Sequence, residues 1–127
     1  MKAENGRMKG DLRVRTKQFA LAIISFYSTL PRRKEAQVIG DQLLRSGTSV
    51  GAHFREAQRA KSVADFISKM EGGLQELDET AYWLELLKES GLNISKQLDI
   101  LQSEANQLIA IFVTIVKKTK ASSKRTA

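Results

Sequence analysis

Apolar and small residues recur at alternating intervals of four and three along most of this chain, and only an α-helix lays such positions on one face. Leu12, Thr16, Phe19, Ile23, Phe26 and Leu30 form the first stripe. Pro31 ends it, because proline disfavours helical backbone at the residue before it and has no N–H to donate. The chain is expected to turn through Pro31, Arg32 and Arg33 and to start a second helix near Lys34. There Ala36, Ile39, Leu43, Ser46, Val50, His53 and Ala57 keep the spacing.

The middle of the second stripe, Ser46, Gly47, Thr48, Ser49, Gly51 and Ala52, is nearly all small. Its glycines and hydroxyl residues each cost up to about 1 kcal/mol relative to alanine in a helix, so local propensity favours a loop. Small side chains also let another helix backbone come close, and the unbroken stripe therefore predicts one helix over 34–59; a break between Gly47 and Gly51 is the alternative. Ser62 followed by Asp65 resembles a capping box and opens a third helix, with Phe66, Met70, Gly73, Leu77, Thr80, Leu84 and Leu87 as its seam. Gly91 stands where a helix C-terminus expects glycine. A fourth helix from about Ser95 carries Leu98, Leu101, Ala105, Leu108, Phe112 and Ile115. From Leu108 to Val116 only Thr114 is polar, so this part needs cover from helix 2 and the termini or from another subunit.

Four amphipathic helices with short connections predict an all-α, up-down-up-down antiparallel four-helix bundle over residues 11–120. A basic extension (1–10) and a frayed basic tail (121–127) flank it. Packing residues are expected at Ser46, Gly47, Gly51, Ala52 and His53 on helix 2, Gly73 and Trp83 on helix 3, and Phe112 on helix 4. At 127 residues the chain supports one domain. Its longest apolar run, Leu108 to Val113, falls far short of the roughly 20 residues of a membrane span, and no apolar signal segment precedes Phe19. With no cysteine there is no disulfide or thiolate chemistry, and the expected location is cytoplasmic.

Catalytic constellations are not found. His53 is the only histidine, and the residue three before it is Val50 rather than the Glu of a bundle di-metal site. A lone histidine on a helix seam reads as a packing residue. There is no P-loop or dinucleotide fingerprint, so no metal, cofactor or enzymatic activity is expected.

Charge carries more information. Residues 1–61 hold 13 Lys or Arg against 5 acids, residues 62–95 hold 2 against 7, and residues 96–127 hold 6 against 2. Excess positive charge attracts polyanions, and an acidic block can meet the basic block of another subunit. The cations fall into three groups: Arg7, Lys9, Arg13, Arg15 and Lys17; Arg32, Arg33 and Lys34; and Arg45, Arg55, Arg59 and Lys61. Arg55 and Arg59 share a helix face, and arginine forks suit phosphates. Glu76 and Glu79 could equally pair with Arg45, Arg55 or Arg59 between helices. The phenylalanines sit mostly at seam positions, so base stacking is expected to be minor.

The stretch Arg45-Ser46-Gly47-Thr48-Ser49-Val50-Gly51-Ala52-His53-Phe54-Arg55-Glu56-Ala57 resembles the Arg-Ser-x-x-Ser-Ile-x-Ala-Asn-Ile-x-Glu-Gly signature of a bacterial four-helix-bundle family. That family includes the proteins of ribosomal RNA intervening sequences and the accessory variability determinants of diversity-generating retroelements. Ser62-x-x-Asp65-Phe66 and Glu76-x-x-Glu79-Thr80-x-x-Trp83-Leu84 resemble its next signatures, and together the likeness covers about residues 15–118. It departs at His53, where the family has Asn, and at Ala57, where it has Gly. The resemblance implies a homo-oligomer, typically a pentameric barrel, that binds RNA or DNA through a basic surface and, in the retroelement branch, a reverse transcriptase. Two readings follow: a nucleic-acid-binding accessory protein with Arg13, Arg15, Arg32, Arg33, Arg55, Arg59 and Lys61 on phosphates, and a structural module that self-assembles through its basic and acidic helices. Peripheral contact of the basic N-terminus with anionic lipid is a weaker third.

Overall fold

The computed structural model describes the backbone of residues 2–126 and the side chains of residues 11–124. Its helices are α1 (Lys2–Tyr27), α2 (Lys34–Gln58), α3 (Val63–Glu89) and α4 (Lys96–Thr126). Each runs antiparallel to the one before. Arg13, midway along α1, donates to Gln58 at the end of α2, and Tyr27 at the end of α1 donates to Asp41 near the start of α2, which sets α1 against α2. Lys69 pairs with Glu56 and the Ser46 and Thr80 hydroxyls meet at 2.8 Å, which sets α2 against α3. Lys88 pairs with Asp99, and Lys120 with Glu71, between α3 and α4. The result is the expected up-down-up-down four-helix bundle, with α1 against α4 as its loosest edge.

The alternating stripes turn inward. Leu12, Phe19, Ile23, Phe26, Leu43, Val50, Met70, Leu77, Leu84, Leu98, Leu108 and Phe112 are all buried. Each such side chain removed from water contributes about 1.5–3 kcal/mol, and that is what holds these helices together.

Within α2 packing overrides local propensity, and the helix continues through its small residues without a break. The reason is proximity. A Cβ added to Gly47 would stand 2.8 Å from Ile23 Cγ1 on α1, so only glycine lets the two backbones approach this far. Gly73 of α3 meets Phe112 of α4 in the same way, also at 2.8 Å. The hydroxyls of Thr48 and Ser49 donate to the carbonyls of Leu44 and Arg45 in the preceding turn, so they stay satisfied inside the helix.

The helix boundaries refine the sequence reading. Regular helix in α1 stops at Tyr27, before the expected end at Pro31. Ser28 to Leu30 continue as a tightened turn, with Thr29 N–H on Phe26 O and Leu30 N–H on Tyr27 O, because the following proline bars the helical conformation at Leu30. Ser62 caps α3 by accepting from the Asp65 N–H, while the Asp65 carboxylate accepts from the Lys61 N–H rather than from the cap residue itself. Gly91 turns the chain after α3 at φ +77°, a left-handed conformation in which a Cβ would be strained. At the far end, α4 runs on to Thr126, so residues 121–126 extend the last helix where a frayed tail was expected. The side chains of the N-terminal extension, Arg7 and Lys9 among them, lie outside the described residues.

Candidate nucleic-acid interface

Antiparallel packing gathers cations at one end of the bundle. The middle of α1 lies beside the end of α2, and there Arg13, Lys17 and Arg55 line one groove of about 410 Å³, with Val14, Gln18 and Leu21. Arg59 and Lys61 follow in the α2–α3 turn, both exposed. The last turns of α4 come to the same place: Thr119 lines a surface pocket with Gln58, Lys61 and Ser62. Lys117, Lys118 and Lys120 therefore join this basic end. Among the described residues, Lys17, Arg55, Arg59, Lys61, Lys117 and Lys118 pair with no carboxylate. Unpaired and wet, they are free to meet phosphate oxygens.

The predicted phosphate contacts do not form one site. Arg13, Arg55, Arg59 and Lys61 come together at the basic end. Arg32 and Arg33 stand at the opposite end, separated from it by the length of α2, about 37 Å for 25 residues. Arg33 makes an exposed pair with Glu35, and Arg32 has no carboxylate partner among the described residues. Arg15 is committed elsewhere. Its guanidinium grips Glu104 of α4 through two hydrogen bonds, at 3.0 and 2.6 Å, and also reaches Gln107. The bond to Glu104 holds Arg15 above its ordinary pKa, against the lowering effect of partial burial. Arg15 therefore latches the loose α1–α4 edge.

Of the three arginines that could meet Glu76 and Glu79, Arg45 does so, at 3.4 and 2.8 Å, which leaves Arg55 and Arg59 unpaired. The lysines near the end of α4 were not among the expected contacts. Their signal lay in topology, since the end of a fourth antiparallel helix must return to the turn between the second and third.

Ser46 is fully buried against Thr80, and Gly47 and Gly51 face Ile23 and Thr16 of α1. Gly73 receives the Phe112 ring, which also sits 6.2 Å from the Phe54 ring. His53 is half-buried over Gly72, with its Nδ1 buried and without a hydrogen-bond partner. Trp83 is half-buried, packs edge-on to Tyr82 at 5.1 Å, and its indole N–H is likewise unpartnered. Ala52 is exposed on the outer side of α2 and takes no part in the core. On α4, Leu108, Phe112 and Val116 are buried, while Ile109, Ile111, Val113 and Ile115 are only partly covered.

Among the described residues no group of His, Cys, Asp and Glu could hold a metal ion, and no helix is long and apolar enough to cross a membrane.

Comparison with known proteins extends these observations. The family model for the 23S rRNA-intervening sequence protein matches residues 11–114, which include the α1–α2 groove and stop short of Lys117, Lys118 and Lys120. A similar solved structure is that of a protein of unknown function from the S23 ribosomal protein family of Bacteroides thetaiotaomicron VPI-5482. It is 35% identical, with a TM-score of 0.79 over 86% of this chain and 97% of that chain. A search of curated proteins gives no match. With the family model running from α1 well into α4, and the bundle shared with that neighbour, this chain belongs to the 23S rRNA-intervening sequence protein family.

Proposed function

We propose that the protein is a non-enzymatic, oligomeric accessory protein that holds RNA or DNA backbones on its basic end. The observation that carries this reading is the convergence of Arg13, Lys17 and Arg55 in one groove, continued by Arg59 and Lys61, with no carboxylate neutralising Lys17, Arg55, Arg59 or Lys61 among the described residues. Recognition of this kind follows charge and shape, since the bundle's phenylalanines are buried or half-buried in the core and offer no stacking platform. Self-association is supported by exposed Ile24 on α1 and by the partly covered isoleucines of α4. A homopentamer and, where a retroelement encodes the chain, its reverse transcriptase complete the reading on the strength of the family resemblance, and the cysteine-free sequence adds the cytoplasm.

The test is affinity for a fluorescent RNA or DNA oligonucleotide as salt is varied. Five phosphate contacts give a slope of about −3.5 to −4.5 in log affinity against log salt, or a loss of about a hundredfold or more from 50 to 200 mM. R55E/R59E should weaken binding to every sequence and flatten that slope. Salt-independent binding, or none, would sink the proposal. A second reading, a protein–protein module, draws on exposed Asp78 and Glu85 of α3, which pair with no cation among the described residues. It predicts an oligomer that dissociates in high salt and binds nucleic acid no better than other proteins of similar charge.

A further inference from the structure

Cations without a carboxylate partner among the described residues occur at both ends of the bundle, and the belt between them has almost none. On α1 and the turn after it, no charged residue stands between Lys17 and Arg32. On α2 the single cation between Lys34 and Arg55 is Arg45, which Glu76 and Glu79 hold. On α4 the residues between Lys96 and Lys117 include Asp99 and Glu104 and no cation. Lys69 and Lys88, the cations of α3, pair with Glu56 and Asp99. One end thus presents Arg55, Arg59 and Lys61, and the other presents Arg32 and Lys34 unpaired, with Arg33 in an exposed pair with Glu35.

We infer that each chain carries two separate phosphate-binding ends and bridges two nucleic-acid segments rather than lying along one; this rests on the proposed nucleic-acid-binding function. Two arguments support it. The ends are about 37 Å apart along α2, some four Debye lengths at physiological salt, so neither adds to the field of the other. A backbone laid along the belt would press its phosphates against Ile24 and Val38, about half exposed each, and against Asp41. That arrangement desolvates charge against apolar surface and gains no counter-ion. Two strands, each meeting one end, avoid both penalties.

A sandwich assay tests the inference. The probe is an 8-base-pair DNA hairpin, about 27 Å long and too short to span the bundle. One copy is fixed to beads, the protein is added, and capture of a second, fluorescent copy is read. Wild-type protein should capture it. R32E/R33E should still bind the fixed hairpin but capture about tenfold less of the second, as two cations are replaced by acids at that end alone. R55E/R59E should show the mirrored loss, and an unchanged helical circular dichroism spectrum confirms that each variant folds. Persistent capture by R32E/R33E would mean that several copies of the basic end do the bridging, and would overturn the two-ended inference. Wild-type protein that holds the fixed hairpin and captures nothing overturns it as well, leaving the binding function intact. No binding to the fixed hairpin removes both.

Discussion

Replacing Gly47 by alanine sets two rules against each other. Alanine in a helix interior is favoured over glycine by about 0.5–1 kcal/mol, so on propensity alone Gly47→Ala stabilises α2. The new Cβ, however, would stand 2.8 Å from Cγ1, 3.0 Å from Cγ2 and 3.3 Å from Cβ of Ile23. Ile23 is fully buried and β-branched, so it cannot swing aside without moving its own helix. Overpacking of this kind costs about 1–3 kcal/mol. The net expectation is a loss of about 1–2 kcal/mol, seen as a melting temperature lower by about 5 °C at fixed protein concentration. Ile23→Ala supplies the control, because it removes both γ carbons. Alone it should cost about 2–5 kcal/mol, but in its presence Gly47→Ala should become neutral or stabilising, with a coupling energy of about 1–3 kcal/mol. A higher melting temperature for Gly47→Ala in the wild-type background would refute the close-approach reasoning.

The buried hydroxyls of Ser46 and Thr80 should show coupling of another kind: Ser46→Ala alone costs about 0.5–1.5 kcal/mol, whereas the S46A/T80V pair costs less than the sum of the single changes in urea denaturation. Arg45→Ala removes an ion pair whose arginine is half exposed, so its effect stays below about 1 kcal/mol and shrinks further in 1 M salt. Tyr27 donates to Asp41, and that hydrogen bond raises its pKa. The bond therefore supports the fold below the ordinary phenol pKa and is lost as pH rises through the raised value. In a Tyr82→Phe background, which leaves Tyr27 the sole tyrosine, ultraviolet titration should show Asp41→Asn moving the phenol transition to lower pH; an unmoved transition would contradict the hydrogen bond.

Much of this bundle is written in the spacing of its apolar residues. The stripes from Leu12 to Leu30 and from Phe66 to Leu87 point inward as periodicity requires, because a helix has few ways to hide such a face. Gly47 and Gly51 were ambiguous, since propensity and periodicity disagreed there, and close packing on α1 decides between them. Side-chain pairing was less legible. Arg15 meets Glu104 across 89 residues, and nothing local to either helix signals the match. The choice of Arg45 over Arg55 for Glu76 and Glu79 depends on helix rotation and vertical register, which stripes constrain only loosely. The basic groups were visible as runs of charge, yet their division between two ends follows from chain reversal at the turns and not from composition.

The uneven closure of the bundle bears on how it opens. The α2–α3 pair has the most extensive contact, a buried hydroxyl bridge and the Arg45 ion pairs, whereas α1 is joined to α4 mainly through Arg15. Partial unfolding follows the weakest boundary, so the outer helices α1 and α4 should part first while α2 and α3 stay paired. Amide protons of α1 would then exchange with solvent earlier than those around Ser46 and Thr80. The groove that α1 completes with α2 would come and go with that motion, so part of the basic end would be lost whenever the first helix lifts.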